Sequence, residues 1–221
     1  MRIVFSVAEA WDHKRIFSIL REMVLRSGLP FEPAKVNKNW PRLAYGPVLG
    51  YKQYSLGEVA DLYFSTALET TQVQTALEHS ASDGVRILRV WRVPYGLPSV
   101  SSLAEVMKYS VQGDFSVYTP SCCAEEFFRK KHVYVSAEAS GGISLQRDLK
   151  PFILRGVQPQ PDKIELLLQR CGDKSTKPEY VIAAWLQIPV PMQEEFTLPE
   201  LKFTRETLYW RDHAGNLHAI Q

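Results

Sequence analysis

His13, Glu58 and Asp61 are the side chains whose type and spacing fit acid–base chemistry. A histidine titrates near neutral pH, so His13 suits a general acid or base, or a contact to phosphate. The plainer reading, which the sequence favours, is a first-turn helix residue that packs on the loop beyond. Glu58 and Asp61 stand three apart, as a paired-carboxylate site would. The same pair suits a cap, or ion pairs with Arg42 or Lys52. Trp40 and Tyr45 are interleaved with Lys38 and Arg42, the composition of a base-stacking platform with phosphate contacts, or of a packed loop cluster. Lys14, Arg15, Lys35 and Lys52 extend the basic character around them.

Other chemistries find no ligands. An iron–sulfur cluster needs several closely spaced thiolates, and the chain has the vicinal Cys122 and Cys123 plus the distant Cys171. Structural zinc would need a CxxC or a histidine pair. We therefore expect no metal and no cofactor, and read Cys122 and Cys123, near a helix start where a thiolate would be favoured, as buried small hydrophobes. His79, His132, His213 and His218 have no motif around them and are read as structural or surface residues. Gly46, followed by Pro47, and Gly50 and Gly57 form no phosphate-loop pattern and read as turn residues.

The chain has 221 residues, 45% of them hydrophobic and 23% charged, the balance of a globular protein with a real core. Net charge is +2, unevenly placed. Residues 10–52 hold eight basic and three acidic side chains, so this segment carries +5 and the remainder −3. Such a patch attracts phosphate or an acidic partner, or is a solvated face. No signal peptide or membrane span is read, and the cysteine usage fits a reducing cytosol, so a cytoplasmic protein without membrane contact is expected.

These residues need elements to position them. Arg2–Val7 reads as a strand. Asp12 caps a helix in which Ile16, Ile19, Leu20, Met23 and Val24 form one apolar stripe, stopped by Gly28 and Pro30. A long basic loop follows. Ala60–Thr66 alternates like a half-buried strand, Thr70–Ala81 reads as a helix and Val85–Val93 as a strand. This order, strand-helix-strand-strand-helix-strand, is that of a ferredoxin-like unit. After a break at Pro94–Ser102, we expect a strand around Met107–Val111 and a helix from Thr119 to Lys131. A strand at His132–Ala137, a turn at Ser140–Gly142 and strands at Leu149–Leu154 and Lys163–Arg170 come next. A helix from Thr176 and a closing hairpin of Thr207–Trp210 with Leu217–Ile220 complete the chain. The expected fold is α+β, two ferredoxin-like halves (1–96 and 103–221) of antiparallel sheets with helices packed on one face.

Several motifs, in this order, resemble the radical-SAM-linked protein family, a bacterial domain of unknown function found beside or fused to radical-SAM proteins. They are the strand RIVFS, His13, RSGLP (Arg26–Pro30), Pro41-Arg42, YGPVLG (Tyr45–Gly50) and Ser55-x-x-Glu58-x-x-Asp61. RDLKP (Arg147–Pro151), the Thr176–Pro178 helix start and RETLYW (Arg205–Trp210) follow. Two departures stand out. The family's aspartate two residues after the histidine is Arg15 here, and its glycine-phenylalanine-asparagine-proline loop is VNKNWP. The resemblance implies a radical-SAM protein as partner. Three readings follow. The first is a non-catalytic accessory that binds RNA or an RNA-modification partner. The second, by analogy of fold, is an RNA-processing or RNA-modifying enzyme using His13. The third is a protein adaptor docking through the basic loop. The lack of any cofactor motif favours the first.

Overall fold

The computed structural model describes residues 1–7, 11–50, 52–82, 84–94, 96–138, 144–191 and 196–220. It is a mixed α+β protein built largely from antiparallel sheets, with few helices. The chain divides into two units: Met1–Gly50, Tyr54–Ala104 and Tyr209–Gln221 form the first, Tyr51–Gln53 and Glu105–Leu208 the second. The division falls at Ala104/Glu105, and the last hairpin clusters with the first unit.

In the first unit, β1 (Arg2–Val7) precedes α1 (His13–Arg26). Asp12 starts the helix as the spacing requires: its carboxylate accepts from the Arg15 backbone N–H at 2.7 Å. Ile16, Leu20, Met23 and Val24 are buried against Ile3, Phe5 and Val7 of β1. Each such side chain contributes about 1.5–3 kcal/mol on leaving water. Gly28 takes the left-handed backbone past the helix end, at φ 65°. The next elements are β2 (Leu43–Tyr45), β3 (Tyr54–Ser55), β4 (Glu58–Leu62), α2 (Thr70–Ser80), β5 (Val85–Trp91) and α3 (Val100–Leu103). The sheet runs β2-β4-β1-β5 with every neighbour antiparallel.

Strand β4 differs from its expected reading. It starts at Glu58, ends at Leu62, and all five residues are buried. The reason is position: β4 is an interior strand, with Ala60 and Leu62 in the core under α1 and α2, and with α3 packed on it as well. Phe64 is beyond the strand and makes a single bridge to Phe31.

The second unit holds β6 (Val106–Gly113), α4 (Ala124–Arg129), β7 (Tyr134–Glu138), β8 (Ser144–Asp148), β9 (Ile153–Gln160), β10 (Lys163–Gln169), α5 (Pro178–Trp185), β11 (Val190–Pro191) and most of β12 (Leu201–Arg211). Strands β12, β6, β10 and β9 lie side by side in that order, while β11, β7 and β8 form a separate sheet in which β11 and β7 are parallel. Helix α4 is shorter than the expected Thr119–Lys131. The Ser121 N–H donates to the Trp185 carbonyl and the Trp185 indole N–H donates to the Cys122 carbonyl, so this backbone is used in tertiary bonds before the helix begins. At Leu149–Leu154 a 3-10 turn over Lys150–Phe152 precedes β9. Helix α5 has Pro178 at its first turn, where a missing N–H costs nothing. The expected Ser140–Gly142 turn lies outside the described residues. Tyr209–Arg211 of β12 pairs with β13 (Leu217–Ala219).

Candidate functional site

Helix α1 presents His13, Phe17 and Arg21 at i, i+4 and i+8, which stacks them along one face. The loop after α1 returns along that face. Its N-terminal and C-terminal arms pair: Glu32 N–H donates to the Tyr63 carbonyl, Arg42 N–H to the Glu32 carbonyl, and Pro33 bridges Pro41. The tip is an Asn37 turn, in which Asn37 Oδ1 accepts from Asn39 N–H at 2.9 Å. This ordered hairpin carries Lys35 and Lys38, both exposed, and sets Trp40 and Tyr45 against the helix.

The result is a continuous column. The Arg21 guanidinium lies 3.8 Å from the Trp40 ring centroid and 5.0 Å from that of Phe17. His13 stacks on Phe17 at 6.3 Å and on Tyr45 at 4.7 Å, with its ring within 20° of parallel to Tyr45. The Tyr45 hydroxyl then donates to Glu58 Oε2 at 2.5 Å. Trp40 at the outer end keeps 39% of its surface exposed, whereas Glu58 at the inner end is fully buried. Guanidinium and aromatic planes stack favourably in this way.

The two acids named by spacing are not a pair. Three steps along a strand is an odd number, so Glu58 and Asp61 face opposite sides of β4. Glu58 lies on the helix side, where Tyr45 reaches it. Asp61 takes both Arg2 N–H donors, at 2.7 and 3.0 Å, and the Val100 N–H at 2.7 Å. Its cation is Arg2, not Arg42 or Lys52.

The other basic candidates disperse. Arg42 is exposed, pairs with Glu32 at 2.7 Å and lies 4.1 Å over the Tyr63 ring. It lines an open groove of about 1060 Å³ with Glu32, Tyr63, Leu97 and Arg92. Arg15 lies 4.4 Å over Trp11, and Lys14 is exposed on α1. Lys52 is exposed, has φ 56°, and clusters with the second unit. Pro41 and Gly46 are buried, Pro47 is half-buried and Pro30 is exposed; the Pro30 carbonyl accepts from Ser65 N–H.

Three groups escaped the sequence reading. Arg21 had a signal, its helical phase with His13 and Phe17. The Arg2–Asp61 pair, 59 residues apart, had none. In the second unit, the Gln53 amide donates to both oxygens of buried Glu179, at 2.7 and 2.9 Å, and burial pushes that carboxyl up against this bond. Among the described residues no group of three histidine, cysteine or acidic side chains is placed to hold a metal. Cys122 and Cys123 are not buried as expected: Cys122 is intermediate and Cys123 exposed, because Cys123 stands at the N-cap of α4, outside the packed face; Cys171 is exposed as well. No helix among the described residues is long and apolar enough to cross a membrane.

Residues 11–178 match a family whose description is "uncharacterized protein conserved in bacteria" (DUF2344). No curated protein matches the chain.

Proposed function

We propose that this chain, which belongs to the DUF2344 family of proteins conserved in bacteria, is a non-catalytic binding protein that holds an RNA strand, or an RNA-modification partner, on its first unit. It works in the cytoplasm beside a radical-SAM enzyme. The observation that carries the reading is Trp40, half exposed, fixed on α1 by Arg21 and borne on the same hairpin as exposed Lys35 and Lys38. An exposed ring offers a base a stacking face, and flanking cations draw the phosphates. The radical-SAM association rests on the co-linear motifs from RIVFS to RETLYW. The order β2-β4-β1-β5 with α1 and α2 on one face supports reading the first unit as ferredoxin-like.

The test is fluorescence anisotropy of a labelled single-stranded RNA across a salt series. Each phosphate contact adds about 0.7 to the slope of log affinity against log salt. Lys35→Ala with Lys38→Ala should lower that slope and weaken all sequences alike. Trp40→Ala should cost roughly 1–3 kcal/mol. Absence of RNA affinity at low salt overturns the reading and leaves the adaptor role. One observation favours a second reading, an RNA-directed enzyme. The stacked His13 is joined through Tyr45 to buried Glu58, an arrangement that orients an imidazole. RNA cleavage or modification abolished by His13→Ala, with binding intact, is the outcome that would establish it.

A further inference from the structure

Arg21 is set apart from the ion-paired arginines of the first unit by two rings on its guanidinium and by a buried Nε. Arg2, Arg26, Arg42 and Arg92 each face a carboxylate at 2.7–2.9 Å. Among the described residues no carboxylate is paired with Arg21, and its buried Nε meets no hydrogen-bond acceptor. The acid next to it, Glu22, is taken by Arg26 at 2.8 Å. What holds Arg21 is two rings, Phe17 and Trp40. Stacking satisfies the faces of a guanidinium and leaves its in-plane N–H donors unused. The aromatic clamp also fixes the fork in one orientation, so less freedom is lost when an anion docks.

We propose that Arg21 is the phosphate-recognition residue of this surface, a clamped guanidinium that takes a phosphate group edge-on through its outer Nη N–H donors, its Nε being buried. The inference rests on the RNA reading above for the source of that phosphate, the phosphodiester backbone of a single strand. The fit is geometric. A phosphate oxygen pair matches the guanidinium fork, while Trp40, at van der Waals distance from the same guanidinium, offers its exposed area to the neighbouring base. Exposed Lys35 and Lys38 on the Trp40 hairpin extend the positive field without holding the anion in one geometry. Phe17 and His13 continue the column inward and brace the arginine from below.

The experiment pairs two measurements. In the first, labelled oligouridylate is titrated at low salt with the wild-type chain, Arg21→Lys and Arg21→Gln, each checked by thermal melting. Arg21→Lys keeps the charge but loses the fork, so the expected result is about tenfold or greater weakening with an unchanged salt slope. Arg21→Gln should weaken binding further and lower the slope. Wild-type RNA affinity retained in both variants overturns the Arg21 assignment and leaves the RNA reading standing. In the second, the wild-type arginine Nε–Hε resonances are followed by NMR during titration with inorganic pyrophosphate, with Arg21 identified by its loss in Arg21→Lys. A saturable shift of the Arg21 resonance supports the phosphate site even where RNA does not bind, and then free phosphate is its ligand. No shift, together with no RNA binding, overturns both the site and the reading.

Discussion

Arg2 and Asp61 are two buried charges that answer each other, and the stability of the first unit depends on both remaining. Asp61 also receives the Val100 N–H, so one carboxylate ties β1, β4 and α3 together. Asp61→Ala leaves a buried guanidinium without its counter-charge and an N–H without its acceptor, which should cost about 3–5 kcal/mol. Urea denaturation checks this, and a loss below 1 kcal/mol would contradict it. Glu179 makes a pH prediction. Burial raises its folded pKa above the unfolded value of about 4.3, so the native state holds the proton more tightly. Its contribution is fully present below the unfolded value and is lost as pH rises through the folded one. Glu179→Gln should therefore flatten the decline in stability from pH 4 toward pH 8, read as urea midpoints. Parallel pH profiles for the variant and the parent would show that Glu179 is not the group responsible.

At the scale of elements, local signals and long-range contacts divide the legibility. Helix α1 was readable because Asp12, the 16/19/20/23/24 stripe and Gly28 are all local, and the helix needs only those. Strand β4 was placed two residues late because alternation describes a strand with one wet face, and this one has none. The start of α4 was invisible, since what delays it is Trp185, some sixty residues away. The packing of α4 on β9 was equally invisible and has one vulnerable point. A Cβ at Gly156 would stand 2.4 Å from the Phe128 ring. Gly156→Ala should force that ring aside at a cost of about 1–3 kcal/mol, visible as a lowered melting temperature. An unchanged melting temperature would mean that the ring has room to move.

For the molecule as a whole, the sequence shows which side chains lie close along the chain but not the partners they take in the fold. Basic and aromatic residues between Arg26 and Lys52 are visible as a cluster in the sequence, yet Trp40 and Tyr45 return to α1, while Arg42 joins Glu32 and Lys52 falls with the second unit. Composition reveals which side chains are present; whether a hairpin folds them back onto a helix depends on pairings such as Pro33 with Pro41, which leave no trace in spacing. The central claim is that RNA lies on the α1 and hairpin surface. Photo-cross-linking with 4-thiouridine-containing RNA, followed by peptide mapping, tests it most directly. The account predicts cross-links within residues 11–45, centred on Trp40 and the Lys35–Lys38 tip. Cross-links confined to residues 105–208, or none under any binding condition, would contradict it.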